Sequence, residues 1–528
     1  MSETAASIVV LTHRELSSTA AQTLDDSLRQ ISGFTLFRRG SSKTTNPTAQ
    51  GANLRGISGS GASRAAVLLD GVSLNDAFGG WTFWSRVPQI AVEQAEVLRG
   101  GASSFYGTSG LSGAVNLITS RADDAPIFRA QASAGSQGTY DGSLFTAATK
   151  HGWSFDLAGE TFQTLGYIPV DIDQRGRADT RANSRHNNLL FGLERRFKNV
   201  PLISGHDSAR VFLRGNIFAE RRDNGTSLTY NRTYFRQAVS GIDVPDSAIG
   251  LLQLRASVET QVYDQTFSSV STDRNSEALT RLQRVPSQAL SGSLFWSRAF
   301  GDHAVAASFE FRDVRGFSDE IGYSNGRATS VSGSGGRQRT FSVFAQDIWR
   351  VSDRFNINIG GRVDRWSNLD AASTTRSLAT NAVTVTRFSD RGETAFSPRV
   401  AALYSVNEHA SLYASYSRSF RAPTLNELYR AFRVGNILTL ANENLSSENT
   451  DTVEGGLSSG FLRGRIKLRG NASATFVSDP VVSVTLSTTP TLITRQRQNV
   501  GRTRTVGFEF DLDYAPITKL TLSAGYLF

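Results

Sequence analysis

Residues 96–119, EVLRGGASSFYGTSGLSGAVNLIT, set a carboxylate and a guanidinium (Glu96 and Arg99) beside a run of glycines and small residues that closes in a short apolar strand. Such a loop is either folded tightly inside something larger or cradles a ligand, because glycine permits positive φ and close backbone approach. Catalytic alternatives fail on spacing. GISGSGAS (56–63) lacks both the G-x-G-x-x-G pattern and the Lys-Ser/Thr of a phosphate loop. The six histidines are dispersed, with no H-E-x-x-H, and there is no cysteine, so neither a metal site nor thiol chemistry is indicated. No Ser/His/Asp set stands in a nucleophile-elbow context. Catalysis is not indicated, and no cofactor is called for.

Composition narrows the setting. The 528 residues exceed one ordinary core, which points to more than one domain. The formal charge is +9, but arginine is scattered singly among acidic residues instead of clustering, so nucleic-acid binding is not expected. No stretch approaches the roughly 18 apolar residues of a transmembrane helix. The opening MSETAASIVVLTHREL is not a charged-then-apolar export signal.

From about residue 126 onward the dominant period is two. In ARVFLRGNIFAE (209–220) apolar or small residues occupy the odd positions, while Arg210, Arg214, Asn216 and Glu220 occupy even ones. RIKLRGNASATF, RFNINIGGRVDRW and TVGFEFDLDY repeat the alternation. These are β-strands with one apolar and one polar face. A soluble sheet would turn its apolar face to a core; a membrane barrel turns it to lipid. Two features favour the barrel. The alternation runs for about 10 residues per strand, the length of a tilted membrane strand. Short links such as VSD (351–353), GDH (301–303) and VNEH (406–409) alternate with long polar segments near 164–185, 221–230, 265–284, 317–336, 367–393 and 421–448. About 17 strands are expected, enclosing a lumen too wide for wall side chains alone to fill.

Residues 1–120 read differently. SIVVLTHREL is a strand and turn, TLDDSLRQISGFTLF a short amphipathic helix running into a strand, SRAAVLLDGVSLND a buried strand ending in an Asp-Gly turn, and AVEQAEVLRGG a further strand. A small α/β domain, 1–120, thus precedes a barrel, 126–528, through the linker SRADDAP.

TLDDSLRQISGF, NLRGISGSGASRAAVLLDGVSLND and EVLRGGASSFYGTSGLSGAVNLIT resemble the plug domain of TonB-dependent outer-membrane receptors. SFRAPTLNELYR (419–430), NTDTVEGGL (449–457) and NVGRTRTVGFEFDLDY (499–514) are similar to segments of that family's barrel. The resemblance implies a mainly β fold, a large antiparallel transmembrane barrel of the 22-stranded type with an α/β plug in its lumen. It also implies that plug arginines in RG contexts, Arg55 and Arg99, pair with two barrel glutamates, Glu454 and Glu509, and hold the plug in place.

The alternation supports that placement independently. Glu454 shares its face with Thr450, Thr452 and Ser458, opposite Val453 and Leu457; Glu509 shares its face with Asp511 and Asp513, opposite Phe508 and Phe510. Both carboxylates therefore face the lumen, since a lipid-facing charge near the bilayer midplane costs about 2–4 kcal/mol.

By the same resemblance, ligand meets the plug's upper loops (43–50, 76–86 and 103–110) together with the long barrel loops. Trp81, Phe83, Trp84, Arg86 and Tyr106 are the plug candidates, with one of the aromatics expected at the lumen mouth; Arg421, Tyr429, Arg430 and Arg433 are the barrel candidates. An equal alternative is that the aromatics wedge the plug against the wall.

The implied function is active uptake of a scarce ligand, such as an iron-siderophore, haem, cobalamin or oligosaccharide, across the outer membrane of a Gram-negative-type cell. A monomer is expected, with the inner-membrane TonB complex as energy-supplying partner and outer-membrane lipid around it. A passive porin-like channel and a surface receptor without transport are the rivals. The family's TonB-contacting peptide is not recognisable before the plug. About five further strands are expected after LTLSAGYLF, although its alternation to Phe528 also reads as a terminal assembly signal.

Overall fold

The computed structural model describes residues 5–38, 40–57, 61–122, 125–197, 209–247, 249–517 and 519–528. Asp123 and Asp124 of the expected linker, residues 58–60 of GISGSGAS and the first four residues lie outside the described residues.

The N-terminal unit is built on a five-stranded sheet in the order Ile8–Thr12, Val92–Arg99, Gly113–Thr119, Ala65–Leu69, Val72–Ser73. Ala65–Leu69 and Gly113–Thr119 run parallel, and the other neighbours antiparallel. Where a turn was expected after the first strand, His13–Ser18 is a helix, because Thr12 and Glu15 form a reciprocal capping box. A second helix, Leu24–Leu28, leads into the strand Phe34–Leu36. Leu16, Leu24, Leu28, Val67, Val97 and Val115 close one core against the sheet. The expected Asp-Gly turn forms at Asp70 and Gly71, both with positive φ.

The remainder is an antiparallel sheet curled into a barrel, with a separate four-stranded sheet (Phe432–Val434, Ile437–Leu440, Ile493–Asn499 and Val481–Thr488) built from two of its long segments. Among the described residues the barrel has eighteen strands, one of which, Val383–Arg387, pairs only along the end of Phe355–Ser377, so seventeen form the wall. The odd positions of 209–220 point outward: Val211, Leu213 and Ile217 are exposed, whereas Asn216, Phe218 and Glu220 are buried. Strands are longer than the alternation alone indicated, reaching 26 residues in Arg327–Ser352. The stretches 265–284 and 317–336, read from sequence as loops, largely continue the ladders as hairpins. A bilayer core needs only about 9–11 tilted residues. Beyond it both strand faces meet water, so the two-fold pattern fades while backbone pairing persists. Short turns at 301–302, 353–354 and 408–409 mark one end, and long segments such as 422–447 and 479–501 the other.

The strand order closes where Leu520–Leu527 stands next to Ile127–Gly135. The last strand is exposed along its whole length and the first along most of it.

The N-terminal unit sits inside this wall. Asn188 donates to the Ser85 carbonyl at 3.1 Å, Asn216 to Arg86 at 3.2 Å, and Ser32 to Asp511 at 2.7 Å. The Ala422 amide donates to Thr108 at 2.7 Å. These partners come from well-separated arcs of the barrel, so the plug is surrounded rather than docked at one side.

Candidate functional site

Near the middle of the wall strands Glu448–Phe461 and Arg502–Ile517, two plug arginines meet a set of wall carboxylates. Arg55 stands at positive φ (55°), which turns its side chain out of the strand Ala52–Leu54 and toward the wall. Its Nε and Nη2 each donate to Glu509 at 3.0 Å, and Nη1 donates to Glu454 at 2.7 Å. Arg99 donates to Asp511 at 2.8 Å, to Ser7 at 2.9 Å and to the Ser32 hydroxyl at 2.6 Å, and lies 3.5 Å from Glu509. Glu454 and Glu509 belong to strands separated by Ile466–Ser478, whose Asn471 faces both Gly456 and Glu509 across the ladders. Burial pushes the Arg55 guanidinium toward the neutral form, but the Glu454 and Glu509 charges more than offset this and hold its pKa above the ordinary value.

The glycine that follows Arg99 has a steric reason here. Gly100, at φ +96°, carries no side chain because a Cβ would lie 2.7 Å from the Arg55 Nη1. Gly33, at φ +82°, makes a similar approach to Glu509. The glycine-rich turn is folded tightly around an ion cluster.

A second network ties plug, wall and outer loop together. Plug Arg64 donates to Glu448 at 2.7 Å, Arg421 bridges Glu448 and Glu427, and Glu427 caps the helix Leu425–Tyr429 through Thr424. That helix lies over the plug's apical loop: the Asn426 amide donates to the Phe78 carbonyl at 3.0 Å. Leu425, Leu428 and Tyr429 join Phe78, Trp81, Phe83, Phe218 and Tyr263 in one apolar cluster.

The apical loop is organised by Asp76, which accepts from the amides of Phe78 at 3.0 Å and Gly79 at 2.5 Å and from the Gln261 side chain. Burial raises this carboxyl to about 6. Trp81 packs on Tyr263 (ring centroids 6.0 Å apart), Phe83 on Phe218 (6.4 Å) and Trp84 on Phe34 (6.0 Å). Arg86 lies 3.3 Å from the centroid of the Phe235 ring and is 1 % exposed.

This geometry has known counterparts. The description "TonB dependent receptor-like, beta-barrel" matches residues 123–528, and "TonB-dependent Receptor Plug Domain" matches residues 1–114. The chain belongs to the TonB-dependent receptors. It is therefore an outer-membrane β-barrel with a plug, the architecture of a receptor rather than an enzyme. The vitamin B12 transporter BtuB of Vibrio vulnificus is 27% identical over 168 residues, 32% of this chain and 26% of that protein, so the match spans about a quarter of the curated relative. The ferric yersiniabactin uptake receptor FyuA of Yersinia pestis superposes with a TM-score of 0.72 at 14% identity, covering 99% of this chain and 78% of that one. The copper transporter OprC gives a TM-score of 0.75 at 14% identity, covering 98% and 80%.

In this receptor, Arg55, Arg99, Glu454 and Glu509 come together in one buried cluster. The ligand candidates do not. Trp81, Phe83, Trp84 and Arg86 are buried, the first two and Arg86 against wall residues and Trp84 in the plug's own core. Arg421 is absorbed in the ion network, Tyr429 stacks near Phe388 at 5.0 Å, and Arg430 donates to Glu320 at 2.7 Å. Arg433 donates to the Gly435 carbonyl in its own loop. Tyr106 lines a cavity between the plug and the barrel wall.

Residues not singled out from sequence include Asp511, Asp76, Arg64, Glu427 and Glu448. Asp511 shares the face of Glu509, and Thr424-x-x-Glu427 is a readable capping box. Arg64 and Glu448 carried no local signal.

Proposed function

We propose that this receptor takes up a scarce extracellular ligand across the outer membrane, with energy supplied by an inner-membrane TonB complex acting on the plug. The observation that carries this reading is the buried pairing of Arg55 with Glu454 and Glu509. A plug held in the lumen by desolvated charges blocks free diffusion, so passage of cargo requires work on the plug. The outer membrane stores no such energy, which is why a partner from the inner membrane belongs to the proposal.

The ligand class is drawn from relatives named for vitamin B12, siderophores, heme-carrying hemophore and copper. The cargo would engage the long outer loops, Tyr429 among them, and, once the helix Leu425–Tyr429 lifts, the apical residues Phe78 and Trp81. On this reading Phe83, Trp84 and Arg86 transmit binding into the plug, and Arg421 and Arg430 hold the covering loop until cargo arrives. The protein would act as a monomer.

The test combines a binding screen of the full-length receptor across iron chelates, corrinoids, copper complexes and glycans with uptake in cells with and without TonB. Uptake that vanishes without TonB while surface binding persists supports the proposal. Uptake independent of TonB favours a passive channel, and binding without uptake in either strain favours a surface receptor.

A further inference from the structure

A cavity of about 640 Å³ lies between the plug and the arc of wall running from Trp153–Tyr167 round to Phe355–Ser377. The ion cluster of Arg55 sits on a different arc, formed by Ala410–Arg421, Glu448–Phe461, Ile466–Ser478 and Arg502–Ile517. The cavity reaches Arg210 and Gln253, which are among the first residues of their strands at the short-turn end. Its plug side is the Asp70–Gly71 turn and the segment around Tyr106.

Its upper limit can be read from the ladders. Asn216, Gln237, Glu259 and Ala289 line the cavity. Two residues farther toward the long-loop end, on the same lumen-facing rows, stand Phe218, Phe235 and Gln261, all in contact with the apical loop. Arg86 caps this level: its guanidinium covers Phe235 and its carbonyl accepts from Asn216.

The wall chemistry is that of a route rather than a resting place. Arg210 pairs with Glu194 and Asp243, Arg214 with plug Asp70, and Arg362 with Glu310 and Asp364. A lining of such paired charges interleaved with Phe105, Leu190, Phe212 and Val239 offers a solute many weak partners and no deep well, the condition for passage.

We propose that this cavity is the lower half of the cargo's passage, already formed in the resting protein, and that Trp81, Phe83 and Arg86 of the apical loop are its ceiling. The cargo class it suits is an amphipathic molecule of a few hundred cubic ångströms, leaving along the 153–377 arc and away from the Arg55 cluster. This rests on the transport reading above, but it can fail separately, because its test uses potassium ions and a thiol reagent and needs neither cargo nor TonB.

The full chain contains no cysteine, so single cysteines report cleanly. In otherwise native protein, Ser291→Cys, facing the cavity, should react with a small charged methanethiosulfonate. Ser397→Cys, at a fully buried wall position outside the cavity, should not. In planar bilayers with potassium chloride, the triple variant W81A/F83A/R86A should open a conductance that the intact protein lacks. Adding S257W and S291W, which fill the cavity from two neighbouring strands, should close it. An unreactive thiol in the Ser291→Cys variant, a silent triple variant, or a conductance indifferent to the two tryptophans would each overturn the proposal. Because the cysteine measurement leaves the ceiling intact, it decides the matter even if the triple variant misfolds.

Discussion

Arg55 grips Glu509 with two parallel hydrogen bonds of 3.0 Å each, one from Nε and one from Nη2, while its remaining nitrogen reaches Glu454. The pair spans 454 residues of chain and joins plug to wall. Planar two-point geometry of this kind belongs to arginine and not to lysine. Glu454 is 6 % exposed and Glu509 3 %, so neither charge has water to fall back on.

Removing one partner therefore costs more than the pair itself is worth. Glu509→Ala should weaken the seating of the plug by about 3–5 kcal/mol, because Arg55 is left buried with half its partners. Arg55→Met combined with Glu509→Leu should recover part of that loss, since the guanidinium disappears with Glu509, while Glu454, left without Arg55, limits the recovery. Chemical unfolding followed through limited proteolysis of the plug compares the single and double variants. Equal losses in the two would show that the side chains act through packing alone.

Gly100 tests the same cluster from the backbone side. Alanine there meets both a positive φ and the Arg55 guanidinium 2.7 Å from its Cβ. Gly100→Ala should destabilise the plug by about 1–3 kcal/mol through strain at φ > 0. Gly71→Ala, at φ +82° but with open space around its Cβ, carries the backbone term without the clash. The difference between the two melting temperatures isolates the approach to Arg55.

Asp76 makes the apical loop sensitive to acid in an unusual direction. Its pKa rises from 3.8 to about 6 on folding, mainly through burial. The folded state thus holds a proton that the unfolded state has released, and stability falls as pH rises from about 4 to 6. The gap corresponds to about 3 kcal/mol at most. Asp76→Asn, which keeps an acceptor for the Phe78 and Gly79 amides, should flatten that part of the stability profile. Thermal unfolding of both proteins at closely spaced pH values shows whether their difference shrinks toward pH 4, as the linkage requires.

Glu427 has the opposite sign. Burial opposes its ionisation, but Arg421 holds its carboxyl well below the ordinary 4.5. Its stabilising effect is present above pH 4.5 and is lost as pH falls below that value toward the folded pKa. Glu427→Gln should release the covering loop even at neutral pH, giving faster tryptic cleavage within 422–447 and stronger quenching of Trp81 by acrylamide. A loop still protected in the variant would assign its anchoring to Leu425 and Leu428 instead.

Much of this was legible in the sequence because the membrane imposes a local rule. Every second residue of a wall strand must tolerate lipid, so the faces of Glu454 and Glu509 followed from their neighbours Val453 and Phe508 alone. Strand ends were not legible, since hairpins such as that of His303–Ser324 with Arg327–Ser352 rise into water, where neither face needs to be apolar. Nor could spacing decide between an exposed and a wedged Trp81. That depends on Tyr263 and Leu425, brought from distant parts of the chain by the barrel's curvature. The network of Arg64, Glu448 and Arg421 was hidden for the same reason: its members are polar residues in ordinary settings until the wall closes around the plug.

The two-faced wall makes a sharp comparison possible between adjacent residues. Val258 is 48 % exposed and points outward, while Ser257 beside it lines the cavity and can hydrogen-bond to Ser291 at 2.6 Å. An arginine at 258 must place its charge in hydrocarbon or bend toward the headgroups, at a cost of about 2–4 kcal/mol near the midplane. An arginine at 257 enters a space of about 640 Å³ that already holds matched charges, including Glu259 two residues along. Val258→Arg should therefore lower the yield of folded barrel in lipid vesicles and shift its urea unfolding, whereas Ser257→Arg should leave both nearly unchanged. If the two variants behaved alike, the outward face of this strand would not be a lipid-facing one. The placement of Glu454 and Glu509 in the lumen, argued from the same alternation, would then lose its physical basis.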